Sequence, residues 1–298
     1  MNPGEAEPSA GAVAALASAR FVFGFLQGLH ELSGGDIVDR VLWLAIAEAG
    51  TRHLTQDAAL NRRHAGLGPP PPDAVRLPVT VSAIARATGL SFETARRRIL
   101  EMSRREVCEI QPGRGVLVTA SHLSRPQSVA EMVRVYKALT LFHHELAGLG
   151  IAVQPDAETT GAPLLPGMPV RLCWRASLGY VLRYMQVLEP VLGGLVDVSI
   201  VLGVGVLGGA SGGPQRPVTP TELARALKGS RETVRRRLLD LVEGGVLERR
   251  DEGYLITAAF LKGPETAAHR ERTARLLESL FRGLAGLGVA FADEPEMA

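Results

Sequence analysis

Ser91-Phe-Glu-Thr-Ala-Arg-Arg-Arg-Ile-Leu100 returns in the same chain as Ser230-Arg-Glu-Thr-Val-Arg-Arg-Arg-Leu-Leu239, 139 positions later. The register holds without a gap from Pro78 and Pro217 to Val107 and Val246. In each copy the apolar residues fall at i, i+4 and i+7: Ala95, Ile99 and Met102, then Val234, Leu238 and Leu241. That spacing is the stripe of a helix resting on a core. Ser91 and Ser230 stand where an N-cap is wanted, because a serine hydroxyl accepts from the first unpaired backbone amides. Phe92, Thr94, Arg96 and Arg97 are left for the opposite face, with Arg231, Thr233, Arg235 and Arg236 in the second copy.

The flanking sequence repeats with the helix. Upstream, Thr219-Pro-Thr-Glu222 joins a threonine cap, a proline at the first helical position and a glutamate at N3, the elements of a capping box. Thr80-Val-Ser-Ala83 keeps the cap without the box. Ala85 and Ala224 give the small side chain needed where two helices cross closely. The connecting turn is Thr88-Gly-Leu in the first copy, where Gly89 can supply a positive φ. The second has Leu227-Lys-Gly, with its glycine one place later, which leaves the build of that turn open.

Downstream, residues 107–110 and 116–119 read as strands joined by Gln111-Pro-Gly-Arg-Gly115. Residues 246–249 and 254–257 repeat the pattern. Arg114 stands at the first hairpin tip and suits a minor-groove or phosphate contact. The second hairpin, Arg249-Arg-Asp-Glu-Gly253, carries two acids that phosphate would repel, so a smaller contribution is expected of it.

Helix, turn, helix and hairpin in this order read as a winged helix-turn-helix in two copies. Such a helix enters the major groove by its N-terminus, with amides and a hydroxyl first and guanidiniums a turn later. Arginine either pairs with guanine or clamps phosphate, and sequence does not say which. The plainer alternative is a solvated face, with Glu93, Glu101, Glu232 and Asp240 pairing the arginines within each helix.

The duplication reaches beyond these segments, since Ala147-Gly-Leu-Gly150 recurs as Ala285-Gly-Leu-Gly288. Gly35-Asp-Ile-Val-Asp39 likewise lies against Gly193-Gly-Leu-Val-Asp197. The expected class is mainly α with two small β-wings, a pseudo-dimer whose long helices form a shared core. The first repeat spans 1–153, with its winged helix at 78–123 and a closing helix at 127–148. A linker covers 154–170, where prolines and glycines cluster without periodicity. The second repeat spans 171–292, with its winged helix at 217–261 and a closing helix at 264–286, before a tail at 293–298. Residues 1–10 are expected to be disordered. Helices are expected at 11–32 and from 36 into the sixties, followed by a stiff extended linker at 66–78. A helix at 171–188 is expected to break at Pro190, before an apolar helix at 191–207 and a linker at 208–217.

With 298 residues, 46% hydrophobic and 21% charged, the composition is that of a globular chain of about two domains. The net charge of +2 is small, and residues 78–119 hold seven arginines against four glutamates. Nucleic-acid contact must therefore come from locally placed arginines. The only cysteines, Cys108 and Cys173, have no metal-type spacing and imply no disulfide framework. Cys108 aligns with Leu247 and is expected in the core, with redox sensing as the lesser reading. Glu5 and Glu7 precede the first apolar run without a basic leader, so no signal peptide and a cytoplasmic location are expected. Residues 191–207 are membrane-like in composition but short and interrupted by Asp197, so a buried helix is expected there. His143 and His144 are neighbours that do not share a helix face, so no metal site is assigned, and no cofactor is expected. Enzyme signatures are absent: there is no phosphate loop and no nucleophile elbow.

Residues 78–118 resemble the DNA-binding segment of GntR-type regulators, in the Pro-Gly-Arg-Gly wing and the Ser-x-x-Thr-x-Arg helix start. The second copy, Ser230-Arg-Glu-Thr-Val-Arg235, matches that start more closely. The resemblance implies DNA contact for Ser91, Thr94, Arg96 and Arg114, and for Ser230, Arg231, Thr233 and Arg235. Phe92 departs, because the family usually has a polar or basic residue there. The long flanking helices are instead similar to the MarR-type arrangement, in which they form a dimer interface. The implied function is a sequence-specific transcriptional regulator whose partner is double-stranded DNA. One chain supplies both heads to adjacent, non-identical half-sites, as a monomeric pseudo-dimer or within a homodimer. A small-molecule effector wedged between core and heads would regulate it, and no membrane is involved. Two alternatives carry tandem winged helices as well: a replication initiator on origin repeats, and a chromosome-organising scaffold that uses them for protein contacts.

Overall fold

The computed structural model describes residues 10–151, 163–165, 167–209 and 215–291. The expectations for residues 1–9, for most of the linker at 154–170 and for the tail at 293–298 lie outside them. The chain is mainly helical, with two small antiparallel hairpins. In chain order the elements are α1 (Ala10–Ser33), α2 (Ile37–Gln56), α3 (Ala58–Arg63), α4 (Val81–Thr88), α5 (Phe92–Arg104), β1 (Glu109–Gln111), β2 (Gly115–Leu117), α6 (Ala120–Leu123) and α7 (Pro126–Gly148). After these come α8 (Val170–Leu192), α9 (Leu195–Leu207), α10 (Pro220–Ala226), α11 (Arg231–Glu243), β3 (Leu247–Arg250), β4 (Gly253–Ile256), α12 (Ala258–Lys262) and α13 (Pro264–Gly286).

The long helices pack in a reciprocal pattern. α1 rests on α2 and α7, and also on α9 and α13; α8 rests on α9 and α13, and also on α2 and α7. Their shared interior is aromatic. Phe25 stacks on Trp174 at 5.1 Å, Phe21 on Phe142 at 4.8 Å, and Tyr180 reaches both Phe21 and Phe142. Phe21, Phe23, Phe25, Leu26 and Leu29, the apolar face expected of α1, are all buried.

The segment rich in Val, Leu and Gly forms α9 and is buried from Leu195 to Val204, against α1, α2 and α8. Its Asp197 is paired with Arg237 at 3.1 Å. α1 is the one described helix long and apolar enough by itself to cross a membrane, and half of its apolar window is buried. α8 and α9 pass the same test only as a pair, and they meet at a bend of 99°.

Four boundaries differ from the sequence reading. The helix expected into the sixties stops at Gln56, because Asp57 turns extended and caps α3 by accepting from Leu60 N at 2.9 Å. α8 runs through Pro190 to Leu192 rather than breaking there: proline in the last turn removes a single bond, and left-handed Gly193 closes the helix on Glu189 O at 2.8 Å. Residues 191 and 192 therefore belong to α8. The first hairpin starts at Glu109 and ends at Leu117, so Val107 and Cys108 enter the core ahead of the strand. The second is likewise displaced, pairing Leu247–Arg250 with Gly253–Ile256.

The proline-rich linker holds a 3-10 turn at Asp73–Val75 and is pinned by buried Arg76, which donates to Pro71 O and Val118 O. α6 and α12, which the sequence reading did not separate, are single turns capped by Thr119 and Thr257.

Candidate nucleic-acid interface

α4 and α5 lie on α2, with the β1–β2 hairpin beside them; α10, α11 and β4 lie on α9 in the same way. Ala95, Ile99 and Met102 face the interior, as do Val234, Leu238 and Leu241. Ser91 Oγ accepts from Thr94 N at 3.3 Å, and Ser230 Oγ from Thr233 N at 3.4 Å. Ser91 also donates to Thr94 Oγ1 at 2.9 Å. The two serines are thus the caps of their helices, and the threonines supply the backbone amides that they cap. The hydroxyls hold the first turn, and the side chains beyond them stay exposed.

Val79 bridges Val116 through two backbone bonds of 3.0 and 2.8 Å, and Val218 bridges Tyr254 through two of 2.9 Å. This third segment explains two glycines. A Cβ on Gly115 (φ 125°) would stand 2.5 Å from Val79 O, and one on Gly253 (φ 148°) 2.6 Å from Val218 O. Each hairpin is seated where only glycine lets the backbones approach.

The turn left open by the sequence puts a left-handed residue at the same place in both copies, although Gly89 N closes on Ala85 O and Lys228 N on Arg225 O. Gly89 has φ 69° and Lys228 φ 42°, at corresponding positions. Leu90 N donates to Ala85 O at 3.2 Å, and Gly229 N to Ala224 O at 2.9 Å. The displaced glycine therefore does not displace the turn; lysine takes the left-handed position. Each turn is also reached by a glutamine from a distant long helix. Gln186 on α8 donates to Ala87 O at 3.2 Å, and Gln27 on α1 donates to Ala226 O at 3.2 Å. Lys228 Nζ pairs with Glu31 at 2.6 Å, and buried Arg40 donates to Leu227 O.

The three arginines of each run divide by role. The third points inward. Arg98 pairs with Asp36 at 2.7 Å and Asp39 at 3.4 Å, and Arg237 with Asp197 at 3.1 Å. Burial pushes the carboxyls of Asp39 and Asp197 above the ordinary range, against the pull of these arginines. Sequence reading assigned neither arginine a function. The signal was present, because Asp39 and Asp197 align as well as the arginines do.

The first and second arginines face outward. Arg96 pairs with Glu93 at 3.3 Å and Arg235 with Glu232 at 2.8 Å, both exposed i,i+3 pairs. Arg97 stands 4.0 Å from Glu101. These are three of the intrahelical pairs of the plainer alternative. Exposed pairs of this kind are weak and exchange readily for another anion. Arg236, Arg231 and Arg114 are exposed and form no side-chain hydrogen bond or ion pair within 4 Å among the described residues. Phe92 is 47% exposed, at the position that Arg231 holds on the other helix.

In the second hairpin the acids Asp251 and Glu252 occupy the exposed turn. Arg249 lies in the strand behind them and shares with Arg235 a cleft of about 260 Å³ between hairpin and α11. Sequence reading discounted this hairpin for its acids and so missed Arg249. The pairing of Arg249 with Tyr254, which sets its direction, is visible only in the register.

The remaining candidates are structural. Cys108 is buried, its thiol pushed up to about 12 by desolvation, and Cys173 is held in the same way. His143 is buried against Phe281 and Phe291, and burial lowers it to about 4. No cluster of three or more metal-ligating side chains occurs among the described residues. No protein-family model, no curated protein and no solved structure matches this chain.

Proposed function

We propose that the chain is a sequence-specific regulator of transcription, in which α5 and α11 are the recognition helices of two winged helix-turn-helix heads on one polypeptide. The observation that carries this reading is the division of the arginines. In both units the third is spent on an aspartate of the underlying helix, while the first two stand exposed behind a capped N-terminus. A solvated face has no need to be held in this orientation; a helix that must meet a groove at a fixed angle does. Arg114 stands exposed in the turn of one hairpin, and Arg249 at the other shares a cleft with Arg235 that Asp251 and Glu252 also line, so each head has a further cation to offer a phosphate backbone.

The same proposal makes the two halves copies of one another, related by a two-fold axis through the core. The reciprocal packing of α1 and α8 supports it, as do the matched bonds from Gln27 and Gln186 to the opposite turns. One chain then offers duplex DNA the pair of heads that a dimer would offer. Phe92 against Arg231, and Arg114 against an acidic turn, make the half-sites unlike. A cytoplasmic regulator without a membrane-bound step fits this use.

A scaffold whose heads contact protein is favoured by one observation, the exposed Phe92 on α5. The two readings part in a titration of the purified chain with duplex DNA at increasing salt. A groove reader loses affinity steeply as salt rises, with a slope set by the phosphates it neutralises. A protein-contact scaffold has no such affinity to lose.

A further inference from the structure

Away from both recognition helices, a cleft of about 350 Å³ opens between the C-terminal half of α2, α3, α8 and the end of α13. Its size falls within the range of roughly 300–1,000 Å³ that holds small organic ligands. One wall is apolar, formed by Ala176, Leu280, Leu284 and Leu287. Gly179, Gly283 and Gly286 keep the space between α8 and α13 open. A Cβ at Gly283 would meet nothing within 4 Å.

The opposite wall is cationic. Arg175, 4% exposed, forms the floor, its guanidinium held by Asn61 Oδ1 at 3.1 and 2.5 Å and by His64 O at 2.9 Å. Two further buried guanidiniums, Arg76 and Arg171, stand behind it and line a small adjoining void with it. The nearest ion-pair partner of these three is Asp73, 3.7 Å from Arg76, and their other bonds go to carbonyls, to Asn61 and to the Met132 sulfur. Burial and the two neighbouring charges lower Arg175 to about 9. Guanidinium remains protonated there, so the positive charge stays in the wall.

Arg183 folds over Gly179 at the cleft and has no hydrogen bond or ion pair among the described residues. The one carboxylate lining the cleft, Glu48, is already held by Arg52 through bonds of 2.9 and 2.6 Å. Buried cations exceed buried anions, an unpaired guanidinium stands at the rim, and an apolar wall lies opposite.

We propose that this cleft binds a small organic anion, a carboxylate with a compact apolar body, with the carboxylate on Arg183 and the body against Leu280 and Leu284. The binding is independent of the DNA reading, because no residue of α5 or α11 lines the cleft.

The experiment follows thermal unfolding of the full chain with millimolar phenylacetate or hexanoate, and with their uncharged amides. The carboxylates should raise Tm by roughly 1–2 °C, as binding several-fold above Kd does for a chain of this size. The amides should not. Gly283→Leu fills the cleft while replacing a helical glycine by a better helix former, so it should fold with an equal or higher Tm and lose the response. Arg183→Gln removes one exposed charge and should lose it too. No rise with either carboxylate, an equal rise with the amides, or a response that survives in both variants would overturn the proposal.

Discussion

The turn between α4 and α5 puts glycine at its left-handed position, whereas the turn between α10 and α11 puts lysine there. Both residues are left-handed, and the neighbours differ. At Gly89 a Cβ would stand 2.8 Å from Glu189 Oε1 and 3.0 Å from Gly194 Cα, so the first turn is tight for a side chain. At the second, Lys228 reaches outward to Glu31. The lesson is that the long helices pressing on each turn, rather than the turn's own glycine, decide which residue stands there. It also separates the two units energetically: the first is crowded and unstrained, the second roomy and strained.

The largest expected effect breaks what the units have in common. Reversing the outward arginines, Arg96→Glu with Arg235→Glu, should weaken duplex binding by roughly a hundredfold or more. Either change alone should leave a residual affinity carried by the other helix, read by fluorescence anisotropy.

The next effect separates the units by their inward arginines. Arg237→Ala leaves buried Asp197 without a partner, whereas after Arg98→Ala the carboxylate of Asp39 keeps Arg105 at 2.8 Å. Urea unfolding should show the first variant to be less stable than the second by about 2 kcal/mol.

The turns should then respond with opposite signs. Gly89→Ala should destabilise by about 1–2 kcal/mol, from the left-handed backbone and the contact with Gly194. Lys228→Gly should stabilise by roughly 1 kcal/mol, since relief of the same strain outweighs an exposed ion pair. If both changes destabilise equally, the account of the second turn is wrong.

The smallest effect sharpens the contrast at the helix tips. Phe92→Arg should raise affinity for duplex DNA several-fold at low salt and steepen its salt dependence by about one phosphate contact.

Much of this was legible in the sequence where the signal is local. The caps at Ser91 and Ser230, the stripes from Ala95 and Val234, and the hairpins all follow from spacing and from hydrogen-bonding chemistry that acts within a few residues. Other features depend on partners far along the chain. Nothing near Lys228 announces a positive φ, because its cause lies in the packing of α1 and α2 on that turn. Pro190 reads as a helix breaker, yet one lost bond in a last turn is a small cost once Leu188 and Leu192 are buried. The inward role of Arg98 and Arg237 needed the fold to bring α2 and α9 beneath them. The cationic cleft was not legible at all, since Arg175 meets Asn61 only where α3 and α8 come together, and α13 closes the other side.

The central claim, that one chain reads DNA with two unlike heads, is tested most directly by selecting binding sites for the purified protein from a random duplex pool. The account predicts two unlike half-sites about one helical turn apart, bound by a single chain, with one half-site lost when Arg96 is reversed and the other when Arg235 is. A pool that never enriches even at low salt would contradict it. So would a perfect palindrome that depends equally on both helices.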